Sequence, residues 1–154
     1  MLNLVCGAIS GMMATVPMSA VIAAGCATGW VRVIPPEEIT ANVAEVVGAD
    51  PEEDSPQFEA AWMAAHLGYG AACGALYALM RPLFPRSELA AGLLFGGAVW
   101  GVSYIGVMPA LELYPPVGED SPRRTAVMIA AHAVYGTSLA ASERLLSSYT
   151  AETS

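Results

Sequence analysis

Four apolar runs without a single charged side chain are separated by three polar connections. Residues 1 to 31 carry no charge, and neither do 60 to 80, 89 to 111 or 125 to 142. A helix needs about 20 mostly apolar residues to cross a hydrocarbon core about 30 Å thick. The first three runs reach that length, and the fourth does so with the helical turn before it. The pattern predicts transmembrane helices over about 4–31, 56–80, 89–111 and 122–142. The expected fold is all-α: an integral membrane four-helix bundle, forming one transmembrane domain over 1–154. Burying four such runs in a water-soluble bundle would require more polar surface than 13% charged residues supply.

The first connection has a helical pattern of its own. In IPPEEITANVAEVVG, Pro36 and two glutamates stand where a helix N-terminus favours them. Ile39, Val43, Val46 and Val47 fall on one face, and Gly48 is a stop signal. A short amphipathic helix lying on the outer membrane surface is expected after the first span. A lid over a substrate is the other reading. Pro17, well inside the first run, is expected to bend that helix, as neighbouring groups in a bundle allow.

The second and fourth runs repeat each other. EDSPQFEAAWMAAHLGYG begins at Glu53 and EDSPRRTAVMIAAHAVYG at Glu119, an offset of 66 without a gap. From Glu53 to Met80 and from Glu119 to Leu146, 12 of 28 positions are identical. Ser55-Pro56 and Ser121-Pro122 place an N-capping serine before a proline at the first helical position. CGAISG (6–11) and AGLLFG (91–96) share a glycine pattern, and a proline pair precedes each E-D-S-P element, at Pro35-Pro36 and Pro115-Pro116. The economical account is a duplicated helical hairpin, with units of about 1–80 and 89–146. Each unit crosses twice, so the two are parallel and related by a pseudo-twofold axis along the membrane normal.

Glycines spaced for close helix contact are Gly7 and Gly11, Gly70 and Gly74, Gly92 and Gly96, Gly97 and Gly101, with Gly136 in the second repeat. Lipid gives helices no hydrophobic reason to associate, so small residues that let backbones approach help hold such a bundle.

Charge then gives direction. The chain has no lysine and a net charge of -8, and eight of its fourteen acids lie between Glu37 and Glu59. Glu112, Glu119 and Asp120 fall in the third connection, so one side of the membrane is acidic. Arg81 and Arg86 lie in the short second connection, and Arg144 follows the last run. The positive-inside rule puts that connection and both termini in the cytoplasm, in the cytoplasmic (inner) membrane of a multi-pass protein, with the acidic loops outside. Arg32, Arg123 and Arg124 weigh the other way. Clustered Lys and Arg of the kind that bind nucleic acid are absent. No Lys or Arg precedes the first run, which therefore reads as a span rather than a signal peptide. Cys6, Cys26 and Cys73 are isolated within apolar runs and read as packing residues.

The two histidines, His66 and His132, are the candidate chemistry. Each is eleven residues beyond its capping serine, roughly 16 Å along a helix, at matching depth within the hydrocarbon. Tyr69 and Tyr135 share their face, as do Gly70 and Gly136. Three readings stay open. Each neutral imidazole can be bonded to a tyrosine or a carbonyl and hold the bundle together. The pair can ligate a haem iron or another metal, as an electron carrier, with the glycines making room. Or histidines and tyrosines can line a polar path for a small solute or protons, in a transporter or channel. No Ser/His/Asp arrangement or metal-protease motif appears, no catalytic residue is assigned, and Ser19, Ser103 and Ser138 read as helix-packing hydroxyls.

With GMMATVPM (11–18), AAHLGYG, GLLFGGAVWGVSYIGVMP (92–109) and AAHAVYG in view, the chain resembles small integral membrane proteins of the YagU-like kind and related families of unknown function. The resemblance implies a four-span fold and directs attention to His66, His132, Trp100 and Pro109. It carries over no activity. The function expected on these grounds is a non-enzymatic membrane protein, a structural or accessory subunit of a larger complex or a homo-oligomer, with the bilayer as its first partner.

Overall fold

A computed structural model describes residues 2–49, 52–114 and 118–152. Among them there are five helices and no strand. Helix α1 covers Leu2–Ala27 and continues through Pro17. It stops four residues short of the expected end, because Gly29 adopts a left-handed φ of 72° and the amides of Trp30 and Val31 both turn back to the Gly25 carbonyl. Helix α2 is Pro35–Val46, with Glu37 and Glu38 in its first turn and Gly48 at φ 75° beyond its end.

Helix α3 runs Pro56–Met80, and the Ser55 hydroxyl accepts from the Phe58 amide at 3.2 Å. Helix α5 runs Pro122–Glu152, and Ser121 accepts from the Arg124 amide at 3.1 Å. Both E-D-S-P elements are therefore working N-caps, each satisfying an amide that has no intrahelical acceptor. Helix α5 extends ten residues beyond the expected end at 142. The chain becomes polar at Glu143 and Arg144, but no Gly or Pro follows to break the helix.

Helix α4, Glu88–Ala110, is capped by Ser87 and is not uniform: it is α-helical to Trp100, π-helical over Gly101–Val107, and closes with a turn at Met108–Ala110. A π stretch inside an α-helix is uncommon and recurs at functional sites. The second proline pair, Pro115-Pro116, lies outside the described residues.

Two segments, Asn3–Ala27 and Glu88–Ala110, are long and apolar enough to cross a membrane. Helices α3 and α5 are as long but fall outside that class: histidine, tyrosine and glycine dilute the charge-free part of both, and serine and threonine that of α5.

Helix α1 packs along both α3 and α5, and α4 packs along α5. Glycines make these approaches. A Cβ on Gly11 would lie 2.1 Å from the Gly70 carbonyl oxygen, and one on Gly7 would lie 2.5 Å from that of Gly74. In the other hairpin, a Cβ on Gly92 would meet the Gly136 oxygen at 2.5 Å, and one on Gly96 the His132 oxygen at 2.2 Å. Backbones so close leave no room for any side chain at these positions.

These contacts fix how the hairpins correspond. Gly70 and Gly136 differ by 66, so Gly11 corresponds to Gly92, an offset of 81 between α1 and α4. The alignment of CGAISG with AGLLFG is one helical turn out of register; short glycine patterns match as well at a shift of four residues as at none.

A true twofold would make the α1–α5 seam equivalent to the α3–α4 seam. It does not. The first is closely packed, whereas α3 and α4 scarcely meet along their backbones. Corresponding residues explain the difference: Ala14, Ser19 and Ala23 on α1 stand where α4 has Phe95, Trp100 and Tyr104. At one end of the open seam, Phe95 meets Tyr77 with ring centroids 5.1 Å apart, and Phe84 completes the cluster.

Candidate functional site

The open seam contains a cavity of about 290 Å³. Thr15, Met18 and Ile22 of α1 form its floor, and His66, Tyr69 and Gly70 of α3 one wall. Val99, Ser103, Tyr104 and Met108 of α4 form the other wall, and His132 and Tyr135 of α5 the back. Helix α2 closes the outer end with Pro36, Ile39, Thr40 and Val43. Both repeated histidines and both repeated tyrosines thus border one space. Among the described residues, no Asp, Glu, Lys or Arg lines it.

The motif residues are not equivalent in detail. His132 is 5% exposed, and its Nδ1 donates to the Met128 carbonyl at 2.8 Å. The Tyr104 ring stands nearly perpendicular to the imidazole, with centroids 5.7 Å apart. His66 is half-buried, and its Nε2 lies 3.3 Å from the Ser19 hydroxyl. Ser19 gives its one hydrogen to the Thr15 carbonyl at 2.9 Å, so His66 Nε2 is the donor in this pair. The two neutral imidazoles are therefore opposite tautomers. His132 keeps a lone pair on Nε2, and His66 keeps one on Nδ1.

Tyr135 is 2% exposed and donates to the Gly70 carbonyl at 2.7 Å, tying α5 to α3 behind the cavity. Tyr69 is 47% exposed, and its hydroxyl meets that of Ser103 at 2.8 Å, bridging the open seam. Neither tyrosine bonds the histidine of its own motif. The expectation that Gly70 and Gly136 leave space beside the histidines is also overturned. The Thr15 hydroxyl occupies the place of a Cβ at Gly70, and the Gly92 carbonyl occupies it at Gly136.

Helix α2 differs from its expected role on the membrane surface. Ile39 and Val43 turn into the cavity, while Val46 and Val47, each 74% exposed, lie past it. Polar contacts pin the helix at both ends: Arg124 binds Glu38 and the Val33 carbonyl, and Asn42 donates to the Leu113 carbonyl at 2.9 Å. Arg124 also lies 3.9 Å from Asp120 and over the Tyr114 ring. Burial, with Tyr104 beside it, pushes the Tyr114 phenol above its ordinary range, and Arg124 opposes this. Arg124, one of the cations weighing against the assigned orientation, is thus neutralised locally by acids.

Sequence reasoning missed Thr15, Ser103 and Tyr104 as lining residues, and Ser19 as the partner of His66. A lone hydroxyl or ring in an apolar run gives no signal of direction until the helix register is known. Trp100 stacks on Tyr104 behind the cavity wall, and its Nε1 is buried without a partner. Pro109 follows the wall residue Met108 at the end of α4. Gly97 and Gly101 face open space. Cys6 and Cys73 are buried free thiols, and Cys26 is half-buried. No group of three or more His, Cys, Asp or Glu placed to hold a metal occurs among the described residues.

Neither a curated protein nor a solved structure matches the chain. The likeness to YagU-like proteins finds no support in these comparisons; a different family model covers the whole sequence. The chain belongs to DUF6789, a family of unknown function, whose model matches residues 1–154.

Proposed function

We propose that this protein crosses the bilayer four times and binds a small molecule in the cavity between its two hairpins. The observation that carries the reading is the convergence of His66, Tyr69, His132 and Tyr135 on one uncharged cavity, at the single seam where the pseudo-twofold packing is not kept. Mostly apolar walls with a few placed polar groups are what small-molecule sites look like. The outward faces support the membrane: Val16, Leu79, Val102, Ile105 and Leu145 are each more than 60% exposed on the four long helices. Extended apolar surface of this kind marks a membrane or protein interface.

The cavity lining favours binding over passage. The lining reaches Gly70 and Val99, and the aromatic Tyr77–Phe84–Phe95 cluster lies beyond, which favours a closed end over a path. The two free imidazole nitrogens match the number of axial positions on a haem. The space does not match: drug-sized ligands need about 300–1,000 Å³, and a porphyrin is larger than most of them. A homo-oligomer or accessory subunit is a second reading, favoured by Gly97 and Gly101, which present a small-residue face outward with nothing against it.

The topology is tested in a background with Cys6, Cys26 and Cys73 replaced by alanine. Glu53→Cys and Ser87→Cys should react with an impermeant maleimide from opposite sides of sealed vesicles, and the protein should resist carbonate extraction. Labelling of both from one side, or release by carbonate, would remove the four-span reading. For the cavity, an organic extract of purified wild-type protein should contain a small molecule that is missing from a Val99→Trp variant. Identical extracts would count against binding there.

A further inference from the structure

The geometry points to an uncharged molecule with an apolar body and one hydroxyl group as the occupant of this cavity, an inference that rests on the binding reading above. Charge is the first constraint. No ionised side chain borders the space, and an ion buried in low dielectric without a partner would be costly. Anionic and cationic ligands are therefore disfavoured by the walls themselves.

The inventory of hydrogens is the second constraint. Thr15 donates to the Gly11 carbonyl at 2.9 Å, Thr40 to that of Pro36 at 2.7 Å, and Tyr135 to that of Gly70 at 2.7 Å. His132 Nδ1 is committed to Met128 and His66 Nε2 to Ser19. What remains uncommitted on these lining residues is two imidazole lone pairs, on His132 Nε2 and His66 Nδ1. The Tyr69–Ser103 pair spans both walls, and with the Cys73 thiol as a further partner of Tyr69 three hydrogens serve two bonds, so one donor of this group is left over. A ligand hydroxyl donates through its single hydrogen to one of the two imidazole nitrogens and accepts from the Tyr69–Ser103 group through its oxygen. An ether or a ketone only accepts, which would leave both nitrogens unmatched rather than one.

Size is the third constraint. A cavity of about 150 Å³ admits benzene, and this one is about twice as large. Two fused six-membered rings, or one ring with a short alkyl chain, fill it. Such a molecule partitions into lipid, and the open α3–α4 seam is the side from which it would enter.

Three probes with one body and different heads test the class: 2-naphthol, 2-methoxynaphthalene and 2-naphthoate. They are titrated calorimetrically into the protein in lipid nanodiscs, with empty nanodiscs as the blank for partitioning. The naphthol should bind at least about tenfold more tightly than the methyl ether, since a site built to bond a hydroxyl rejects the analogue that cannot donate. The naphthoate should give no heat above the blank. His132→Leu should narrow the difference between naphthol and ether, and Val99→Trp should abolish binding of every probe. Equal binding of naphthol and ether, or preferred binding of naphthoate, with both lost in Val99→Trp, would overturn the ligand class and leave the cavity reading standing. Binding of no probe, or binding unchanged in Val99→Trp, would overturn both. The ratio measured on the wild-type protein decides the matter even if His132→Leu does not fold.

Discussion

The two seams between the hairpins start from corresponding positions and end differently. At the α1–α5 seam the helices close on small residues, and a Cβ on Gly25 would lie 2.8 Å from the Val127 side chain. At the α3–α4 seam, aromatic residues stand where the first hairpin has Ala14, Ser19 and Ala23, and Tyr77 stands where the second has Glu143. Rings of that size hold the backbones apart, and the space between them becomes a cavity rather than a packing fault because polar groups line it. The two copies of A-A-H-x-x-Y-G differ in their partners, so that one tyrosine is an internal tie and the other bridges the open seam. The candidate site lies at the seam where the symmetry of the repeat is broken.

If the aromatic cluster actively sets the width of the open seam, removing it should be as damaging as a deletion in any closed core. Phe95 is 3% exposed and packs edge-on against both Tyr77 and Phe84. Phe95→Ala should cost about 3–5 kcal/mol, the range for large-to-small changes in packed cores, read as unfolding of the purified protein in detergent or bicelles. A cost under about 1 kcal/mol would mean that the seam is simply loose, and the contrast between the seams would lose its physical cause.

Part of this contrast was legible in the sequence, and part was not. Charge-free runs and serine-proline caps located helices α3 and α5 from their first residues, because capping depends on neighbours in the chain. The matching positions of His66 and His132 along their helices followed from a gapless repeat. The alignment of α1 with α4 did not, since glycines four apart fit at two registers and only interhelical contact chooses between them. Nor did the turn of α2 into the cavity: Ile39 and Val43 have the same amphipathic spacing whether the apolar face meets lipid or a bundle. The π stretch at Gly101–Val107 also left no local signature. The roles of Ser19 and Ser103 depend on His66 and Tyr69, which are distant in sequence.

The paired tyrosines sharpen the comparison at about 1 kcal/mol. Tyr135 donates to a backbone carbonyl across the hairpin boundary, whereas Tyr77, 0% exposed, has a buried hydroxyl without a partner. Tyr135→Phe should lower stability by about 1 kcal/mol or somewhat more, because it leaves the Gly70 carbonyl without that donor. Tyr77→Phe should be neutral or stabilising, because it removes an unmatched polar group and keeps the ring. Equal losses from both would show that the hydroxyl of Tyr77 has a partner, such as a bound water, and that the open seam holds polar groups along its whole length.

The smallest expected effect concerns the helix that closes the cavity. Arg124 joins α5 to α2 through Glu38 and the Val33 carbonyl, and it also reaches Asp120 and the Tyr114 ring. Arg124 is partly buried at the rim of the bundle, and single ion pairs near the surface contribute about 0–1 kcal/mol to global stability. Their effect should be local, since α2 is otherwise held by Asn42 and by a few apolar contacts. Arg124→Ala should therefore leave the unfolding midpoint nearly unchanged while amide exchange rises across Pro35–Val46 and stays constant in α1 and α5. High salt should weaken the wild-type contact in the same direction, because screening acts on charges near water. If exchange rises equally in all helices, α2 is part of the bundle's cooperative core. If it rises in α2 alone, the outer wall of the cavity is the movable one, and the seam and the lid are separate ways in.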